Sequence, residues 1–444
     1  MLKTILKEAN RFVSTESKKA LKNIGWLFFD KVFRMGMALV IGAWVARYLG
    51  PTQFGSFNYL MATIGILGPF AALGLDSMIV KEIVDNPQRT GTIVSTAVTL
   101  RLAAGFISFL VCVGAIYFLK HDEMDLFYIG VILALTLISQ SLTSLELYYQ
   151  SQVKSRIAVV SQSLAYIIMS ATKVVLILSG AQLMAFAIVT TVEMTLSGLF
   201  MLVSYTKISK QSLAIAVEKA LAKRLLQKSW PLIFAGFMIM IYMRIDQIMI
   251  GELIGDKEVG TYSAALKLSE IWYFLAAITC KSFFPSIIEA RKSGREIYYR
   301  RLQKLFDILF LISFSIAVFV SFLSGTIINI LYGDQYAGAS TILSIHIWTA
   351  VFVFFGVASN NFYVIEDLQI KSFNRTALGA VLNVGLNFLL IPRYGATGAA
   401  VATLCTQIGS SYIFDAISSK TRILFTMKTR SLFIVNLVRR LLRK

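Results

Sequence analysis

The stretch RYLGPTQFGSFNYL, residues 47–60, recurs in altered form as ELIGDKEVGTYSAAL, residues 252–266. In both copies a glycine follows an aliphatic residue, and a second glycine then opens a run of small and aromatic residues. The first glycine of each copy, Gly50 or Gly255, suits the position just past a helix end, where a left-handed backbone is needed. The second, Gly55 or Gly260, permits close packing of the returning helix. The sequence therefore predicts a tight helical hairpin at the start of each half of the chain.

The composition predicts an all-α integral membrane protein. Of the 444 residues, 57% are apolar and only 15% are charged, and the mean hydropathy is +0.70. Apolar runs such as 106–119 are long enough, with their flanks, to cross about 30 Å of hydrocarbon. We expect about twelve transmembrane helices in two pseudo-symmetric lobes of six, residues 24–205 and 229–418. The remaining segments are a basic N-terminus (1–23), an amphipathic connector on the membrane surface (206–228) and a basic tail (419–444).

The net charge of +19 is explained by membrane topology. Lysine and arginine concentrate in every second loop, for example in 207–228 and 291–304, whereas the alternate loops 120–125 and 255–258 are acidic on balance. This asymmetry predicts that both termini are cytoplasmic. We therefore expect no nucleic-acid partner, and we expect the basic tail to be attracted to anionic membrane lipids.

Motifs of catalysis are absent from the sequence. It contains no G-x-x-x-x-G-K-[ST] phosphate loop, and its two histidines, His121 and His346, have no metal-binding spacing. Every predicted outer loop is short, whereas a polysaccharide polymerase needs a large one to hold its acceptor. We therefore expect a transporter without catalytic residues, metal or cofactor, driven by a proton or sodium gradient or by removal of its product.

Four stretches carry a resemblance to a known family. They are NIGWLFFDKVFRMGMALVIGAWVARYLGPTQFGSFNYL (23–60), RIDQIMIGELIGDKEVGTYSAALKLSEIWYF (244–274), LYGDQYAGASTILSIHIW (331–348) and NFLLIPRYGATGAAVAT (387–403). They resemble the polysaccharide transporter family, the Wzx-type flippases of the multidrug/oligosaccharidyl-lipid/polysaccharide (MOP) exporter superfamily. The resemblance implies two six-helix lobes in the bacterial inner membrane. It also implies translocation of an undecaprenyl-pyrophosphate-linked oligosaccharide, typically an O-antigen unit of lipopolysaccharide, to the periplasmic leaflet.

The resemblance implies partners and leaves alternatives open. A polysaccharide polymerase and a chain-length regulator would act on the exported unit. Relatives that export drugs share the two lobes, so the second hypothesis is a MATE-like antiporter of small molecules or cations. A membrane polysaccharide polymerase or ligase is the third.

Charged residues inside the predicted spans are the candidate binding residues. A charge at the centre of a membrane helix costs about 2.5–3.5 kcal/mol on insertion scales, so these side chains should face an interior. A diphosphate head group requires cationic donors. We predict a cationic substrate cavity between the lobes, lined by Arg34, Arg101, Lys173, Arg244, Lys267 and Lys281. The predicted ion-coupling carboxylates are Asp30, Glu146, Glu193 and Asp246.

Interhelical salt bridges are the alternative interpretation of these charges. Arg244 can approach Glu270, and Asp246 lies at the depth of Lys267 across the hairpin. Arg101 and Lys173 have no opposite charge on an adjacent turn, which favours the cavity for them. Three further carboxylates near the predicted inner ends of the helices are interpreted as interfacial: Asp76, Asp307 and Asp415.

Overall fold

The computed structural model describes residues 15–209, 213 and 215–433, with the backbone alone for 15–31 and 209. The outer parts of the predicted N-terminus and tail lie outside these residues. Every regular element in the described ranges is helical. The α-helices are Thr15–Ala72, Asp76–Asp85, Thr90–Lys120, Met124–Ala134, Thr136–Ser139, Ser144–Ser151, Ser155–Leu178, Leu183–Ser209, Lys219–Leu253, Asp256–Glu270, Tyr273–Ser293, Arg295–Tyr332, Ala339–His346, Thr349–Ile365, Gln369–Ile408, Phe414–Ile417 and Arg422–Leu432. Short 3₁₀ turns occupy Pro87–Arg89, Gln140–Thr143 and Asp334–Tyr336, and Gly409–Ile413 is a π-turn.

The described chain contains ten helical runs that are long and apolar enough to cross a membrane. Two of these runs each join two helices across a glycine. The first is broken at Gly50, with φ 72°, and the last at Gly395, with φ 58°. Ten runs, two of which are double, amount to twelve membrane helices. The predicted multi-pass, all-α fold is confirmed.

The chain forms two compact units, and neither unit is one continuous half of the sequence. Unit 1 contains the residues up to Gly42 and Thr63–Phe237. Unit 2 contains Ala43–Ala62 and the residues from Met238 onward. The ends of the first two helices therefore pack with the second half of the chain, because the repeated hairpins contact each other.

The predicted connector is in part the start of a membrane helix. Lys219–Leu253 is one helix that runs across the expected boundary at residue 228. Leu221 and Leu225 at its start are buried in the apolar core of unit 1, and Glu218 just before it pairs with Arg89. Packing and an ion pair thus fix this end of the helix to unit 1.

The two copies of the repeated turn pack against each other within unit 2. Gly50 and Gly255 have positive φ angles of 72° and 126°, which confirms the predicted left-handed positions. A methyl group on Gly55 would lie 1.7 Å from the carbonyl oxygen of Asp256. The small residue after the turn is therefore required by the neighbouring hairpin.

The same contact is made a second time in the opposite direction. A methyl group on Gly260 would lie 1.9 Å from the carbonyl oxygen of Pro51. Pro51 and Asp256 each follow the first glycine of their own copy, so the two contacts are related by a pseudo-two-fold axis. We call this pair of contacts, Gly55 with Asp256 and Gly260 with Pro51, the reciprocal glycine contact.

Hydrogen bonds surround the reciprocal glycine contact. The Ser56 hydroxyl donates to the Asp256 carboxylate, and the Tyr59 hydroxyl donates to Glu252. The Tyr336 hydroxyl donates to the carbonyl oxygen of Ala46 at 2.8 Å. The first two bonds join the two repeated hairpins to each other, and the third joins the turn at Tyr336 to the first hairpin.

The helix Arg422–Leu432, hereafter the tail helix, covers one end of unit 2. Its Lys428 is fully buried and pairs with Asp415, and its Ser431 hydroxyl donates to Asp307 at 2.6 Å. Asp307 and Asp415 are only 2% and 0% exposed, so both carboxylates are packed inside unit 2, and their depth at the membrane interface stays a prediction. Each also has a donor outside the tail helix, since Gln303 donates to Asp307 at 2.8 Å and Tyr363 donates to Asp415.

Candidate functional site

The charged clusters

Unit 1 brings three of the predicted site residues together around one tyrosine. Tyr166 and Lys173 are seven positions apart on the helix Ser155–Leu178 and share a face. The Lys173 ammonium pairs with Glu193 at 2.7 Å and lies 6.0 Å from the centre of the Tyr166 ring. Arg34, which is half-buried, interacts electrostatically with the same phenol, as does Glu193. We call Arg34, Tyr166, Lys173 and Glu193 the Arg34 cluster.

Arg101 lies in a separate, fully packed position. Its guanidinium donates to Asp76 at 2.5 Å and to the Ser144 hydroxyl at 3.2 Å. The Arg101 side chain is 3% exposed, whereas the Asp76 side chain is 68% exposed. Asp76 is therefore exposed, and it binds a buried cation.

Arg101 and Lys173 have no opposite charge on an adjacent turn of their own helices, but each has one on another helix. Asp76 and Glu193 are their partners, and both lie on other helices than the cations they bind. Inspection of adjacent turns on one helix could not find them. Arg101 is the less accessible of the two cations, since its side chain is 3% exposed and that of Lys173 is 17% exposed.

The remaining charged residues of the second hairpin lie together in unit 2. Arg244 pairs with Glu270 at 3.3 Å, and both side chains are partly exposed. Glu270 also interacts electrostatically with Asp246 and Lys267. The Lys267 ammonium lies 4.4 Å from the centre of the Phe54 ring. The expected approach of Arg244 to Glu270 is therefore confirmed.

Asp246 is the centre of a buried network of neutral polar groups. The carboxylate is 2% exposed and accepts hydrogen bonds at Oδ2 from the Tyr262 hydroxyl and, at 3.0 Å, from the Thr403 hydroxyl. Asn383 donates to Thr403 at 3.4 Å, and Asn387 donates to Asn383 at 3.1 Å. These residues, Asp246, Tyr262, Thr403, Asn383 and Asn387, form the Asp246 network.

Several oxygen atoms of this region have unused hydrogen-bonding capacity. Within the described part of the chain, Asp246 Oδ1 and Asn387 Oδ1 are buried without a hydrogen-bond partner, and the Thr403 and Tyr262 hydroxyls lie on the same carboxylate. A carboxylate, an amide and a hydroxyl oxygen are the ligand types that bind a hard cation, and a buried carboxylate can also hold a proton. The Asp246 network is therefore chemically suited to bind a small cation or a proton.

His346 lies beside this network. Its Nδ1 shares a hydrogen bond of 2.8 Å with the Ser269 hydroxyl, and its ring meets the Tyr262 ring edge-on, with centroids 6.1 Å apart. Among the described residues its Nε2 has no hydrogen-bond partner. His346 thus contacts the Asp246 network through the ring of Tyr262.

The other predicted residues lie outside these clusters. Lys281 is exposed on the helix Tyr273–Ser293. Glu146 accepts a hydrogen bond from Gln162 at 2.8 Å. Asp30 belongs to the stretch whose side chains lie outside the described structure.

Sequence reasoning selected charged residues and therefore missed the neutral members of the Asp246 network. A signal was available for two of them, because Asn383 and Asn387 are one helical turn apart within an apolar span. Two amides on one face of a membrane helix indicate an interior polar site, since amides are costly to expose to lipid. Tyr262 and Thr403 carry no comparable pattern.

Similar proteins

Family profiles match most of the chain. The profile of the polysaccharide biosynthesis protein family matches residues 20–291, which is more than half of the chain. The MatE profile matches residues 231–389.

Two similar proteins are known by name. A Haloferax volcanii protein named as a probable low-salt glycan biosynthesis flippase, Agl15, is 25% identical over 421 residues, which are 89% of this chain and 83% of that protein. A Shigella flexneri protein that carries the name of an O-antigen transporter is 21% identical over 411 residues, 86% of this chain and 93% of that protein.

Solved structures share the fold. The lipid II flippase MurJ in an inward closed conformation has a TM-score of 0.68 at 14% identity, covering 96% of this chain and 93% of MurJ. An inward-facing multidrug resistance MATE family transporter of the MOP superfamily has a TM-score of 0.67 at 14% identity, covering 91% of this chain and 96% of that one. The resemblance stated from the sequence is thereby confirmed: the chain belongs to the polysaccharide biosynthesis protein family and has the fold of the MOP superfamily.

Proposed function

We propose that this protein is a flippase that moves a lipid-linked oligosaccharide from the cytoplasmic to the outer leaflet of its membrane. Membership of the polysaccharide biosynthesis family supports this function, as do the flippase and transporter names of its relatives. The observation that carries the proposal is the Arg34 cluster, in which cations and an aromatic ring lie together inside a membrane unit. The substrate we propose is an undecaprenyl-pyrophosphate-linked repeat unit, such as an O-antigen unit.

The Arg34 cluster can bind a diphosphate by exchange of partners. Lys173 is paired with Glu193, and its ammonium is accessible because both side chains of the pair are partly exposed. A diphosphate has more negative charge than one carboxylate and would compete with Glu193 for Lys173, while the Arg34 guanidinium offers a second, bidentate donor. We propose Arg34 and Lys173 as the head-group contacts of unit 1, and Arg244, Lys267 and Lys281 as further cationic contacts. Arg101, which is fully packed, is proposed as a supporting residue.

The Asp246 network is the proposed ion-coupling site. Its carboxylate is buried, and Asp246 Oδ1 has no hydrogen-bond partner among the described residues, so a proton or Na⁺ bound there would gain a new interaction. A nucleotide-binding motif is missing from the sequence, and an ion gradient would supply the work. Glu146 and Glu193 have side-chain donors nearby and are weaker candidates for this role.

Transport by alternating access requires contacts that open and close. We propose that the reciprocal glycine contact is one of them, closed while the substrate is taken up and parted when it leaves toward the outside. Backbone contacts and hydrogen bonds hold it closed. The protein would act in a bacterial inner membrane with both termini in the cytoplasm, and it would supply a polysaccharide polymerase and its chain-length regulator.

A MATE-like antiporter of small cations is the second candidate. The MatE profile match supports it, and so does the fold shared with the MATE transporter. The Asp246 network would serve either function. The Arg34 cluster distinguishes them, because one carboxylate beside two cations favours an anionic substrate over a cationic drug. We do not favour a polymerase or ligase, because the named relatives are transporters.

Substitution of Arg34 tests the proposal. In cells that lack their own copy of this gene, Arg34→Ala should lower export about tenfold or more, because a charge-assisted contact to phosphate is lost. Arg34→Lys should retain part of it, since a point charge remains. Export is measured as the fraction of lipid-linked oligosaccharide that a membrane-impermeant oxidant can reach in intact spheroplasts.

A matched control removes a cation that lies outside the cluster. Arg300 is exposed on the helix Arg295–Tyr332, and Arg300→Ala should export normally. If Arg34→Ala exports as well as Arg300→Ala at equal protein abundance, the Arg34 cluster does not bind the head group. Sensitivity to cationic dyes in the gene deletion, with normal surface polysaccharide, would favour the antiporter.

A further inference from the structure

One helix of unit 2 contains an irregular turn close to the Asp246 network. Gly409–Ile413 form a π-turn between the helices Gln369–Ile408 and Phe414–Ile417. A π-turn holds one residue more than the corresponding length of α-helix, and such turns are frequent at functional sites. Thr403, whose hydroxyl contacts Asp246, lies on the same helix shortly before the turn.

A lysine from the tail helix binds this π-turn. Lys428 Nζ donates to the carbonyl oxygen of Ser411, inside the turn, at 2.6 Å. The same ammonium pairs with the carboxylate of Asp415, just beyond the turn. Tyr363 also donates its hydroxyl to Asp415. One cation thus joins the π-turn to the helix that follows it.

Burial makes this ion pair costly in free energy, because both charges lose their hydration. The Lys428 and Asp415 side chains are both 0% exposed, and a second buried cation, Arg375, lies over the ring of Tyr363, with 5.3 Å from the guanidinium carbon to the ring centre. A buried ion pair loses most of the energy of its attraction to the desolvation of both charges, and well-packed apolar residues are often as stable. Attachment of the tail helix alone does not require a lysine at this position.

The π-turn fixes how the helical segment before it is rotated relative to the segment after it. If the turn became α-helical, one flank would rotate by about 100° and shift by about 1.5 Å relative to the other. Rotation of the first flank would turn the Thr403 hydroxyl away from Asp246. Rotation of the second flank would take Asp415 away from Lys428. Both contacts exist together only while the π-turn is kept.

We propose that Lys428 is a positioning residue for the ion-coupling site: by binding Ser411 and Asp415 it fixes the π-turn, and the π-turn holds Thr403 on Asp246. The inference rests on the proposed coupling role of Asp246. Lys428 itself contacts neither the ion nor the substrate. Its effect is therefore on the affinity for the ion.

Cation binding by the whole protein in detergent provides the test. The midpoint of thermal unfolding is followed against Na⁺ concentration at fixed pH, and against pH without Na⁺, since a ligand that binds only the folded state raises this midpoint. Lys428→Met should raise the half-saturating concentration of the coupling cation about tenfold, the size typical of coupling between distant sites. Thr403→Val should do the same. The double variant should do no more than Thr403→Val alone, because both act through one contact.

Two controls separate positioning from simple stabilisation. Arg422→Met removes an exposed cation from the same tail helix and should leave the half-saturating concentration unchanged. Asp415→Asn combined with Lys428→Met removes both charges of the pair together, so neither Lys428 nor Asp415 is left as an unpaired ion and the variant should fold better than Lys428→Met alone; it should still show the raised concentration, because the ammonium that binds Ser411 is gone.

Each result decides one of the two claims. Asp246→Asn should abolish the cation effect, and if it does not, the coupling site is wrong and the positioning role falls with it. If Asp246→Asn abolishes the effect while Lys428→Met lowers only the unfolding midpoint without changing half-saturation, the coupling site stands and the positioning role is refuted.

Discussion

Gly55→Ala places a methyl group against the facing hairpin, and its effect can be worked out from the reciprocal glycine contact. The new carbon would lie 1.7 Å from the Asp256 carbonyl oxygen and 2.8 Å from the Gly260 nitrogen. Ordinary contact needs about 3.4 Å or more, so the hairpins must separate by roughly 1.5 Å. Overpacking of this kind costs about 1–3 kcal/mol, which lowers the population of the closed contact by about 5- to 150-fold. Backbone atoms form the obstacle, so no side chain can rotate to relieve it.

Hydrogen exchange and export measure this effect. Protection of the amides in the Asp256–Gly260 turn should fall by the same factor, and export per molecule should fall with it. Gly260→Ala should behave alike, since its methyl would lie 1.9 Å from the Pro51 carbonyl oxygen. The two substitutions together should cost little more than one, because a single separation relieves both clashes.

The control is a glycine in the same helix with free space around it. A methyl group on Gly65 would meet nothing within 4 Å, so Gly65→Ala should be neutral or stabilise its helix by up to about 1 kcal/mol. Normal export and normal protection in Gly55→Ala, at wild-type abundance, would refute the role of the reciprocal glycine contact.

Two further predictions concern topology and the tail helix. Reporters fused after Lys120 or after Asp256 should be found outside the cytoplasm and one fused within 291–304 inside it; a cytoplasmic reporter at Asp256 would contradict the predicted orientation of the hairpins. Burial lowers the pKa of Lys428 to about 8 because desolvation outweighs the attraction of Asp415, whereas an exposed lysine has a pKa of about 10.4. Undocking of the tail helix therefore takes up a proton in this range, and the docked state should gain stability as pH rises from about 8 to about 10.4. Amide protection factors of the tail helix should rise over that range in the wild type and stay flat in Lys428→Met.

The helical hairpins could be predicted from the sequence because their determinants are local. A glycine just past a helix end is the residue best suited to a positive φ angle, and Gly50, Gly255 and Gly333 all have one. The hydrophobic length of each span is likewise a property of consecutive residues. The partner of Gly55 could not be predicted, since the contact joins two distant copies of the repeat.

The candidate sites were predictable only in part for the same reason. The free-energy cost of placing a charge in lipid was enough to predict that Arg34, Lys173 and Asp246 lie in the interior. That prediction did not depend on which residues surround them. The pairing of Lys173 with Glu193 depends on how neighbouring helices align, which no pattern within one helix reports. The hydroxyl and amide groups around Asp246 carry no charge and so gave no signal of comparable strength.

The tail helix has a consequence for biogenesis. Asp307 enters the membrane region well before its partner Ser431 is synthesised, because 124 residues separate them, or about 6–25 s at 5–20 residues per second. During that interval Asp307 lacks the Ser431 hydroxyl, and Asp415 lacks the ammonium of Lys428 for a shorter time. Unit 2 must therefore finish its packing late in synthesis or after it. A protein interrupted shortly before residue 422 would leave Asp307 and Asp415 without their tail-helix partners, with Gln303 and Tyr363 as their remaining donors, and membrane proteases should remove it rapidly.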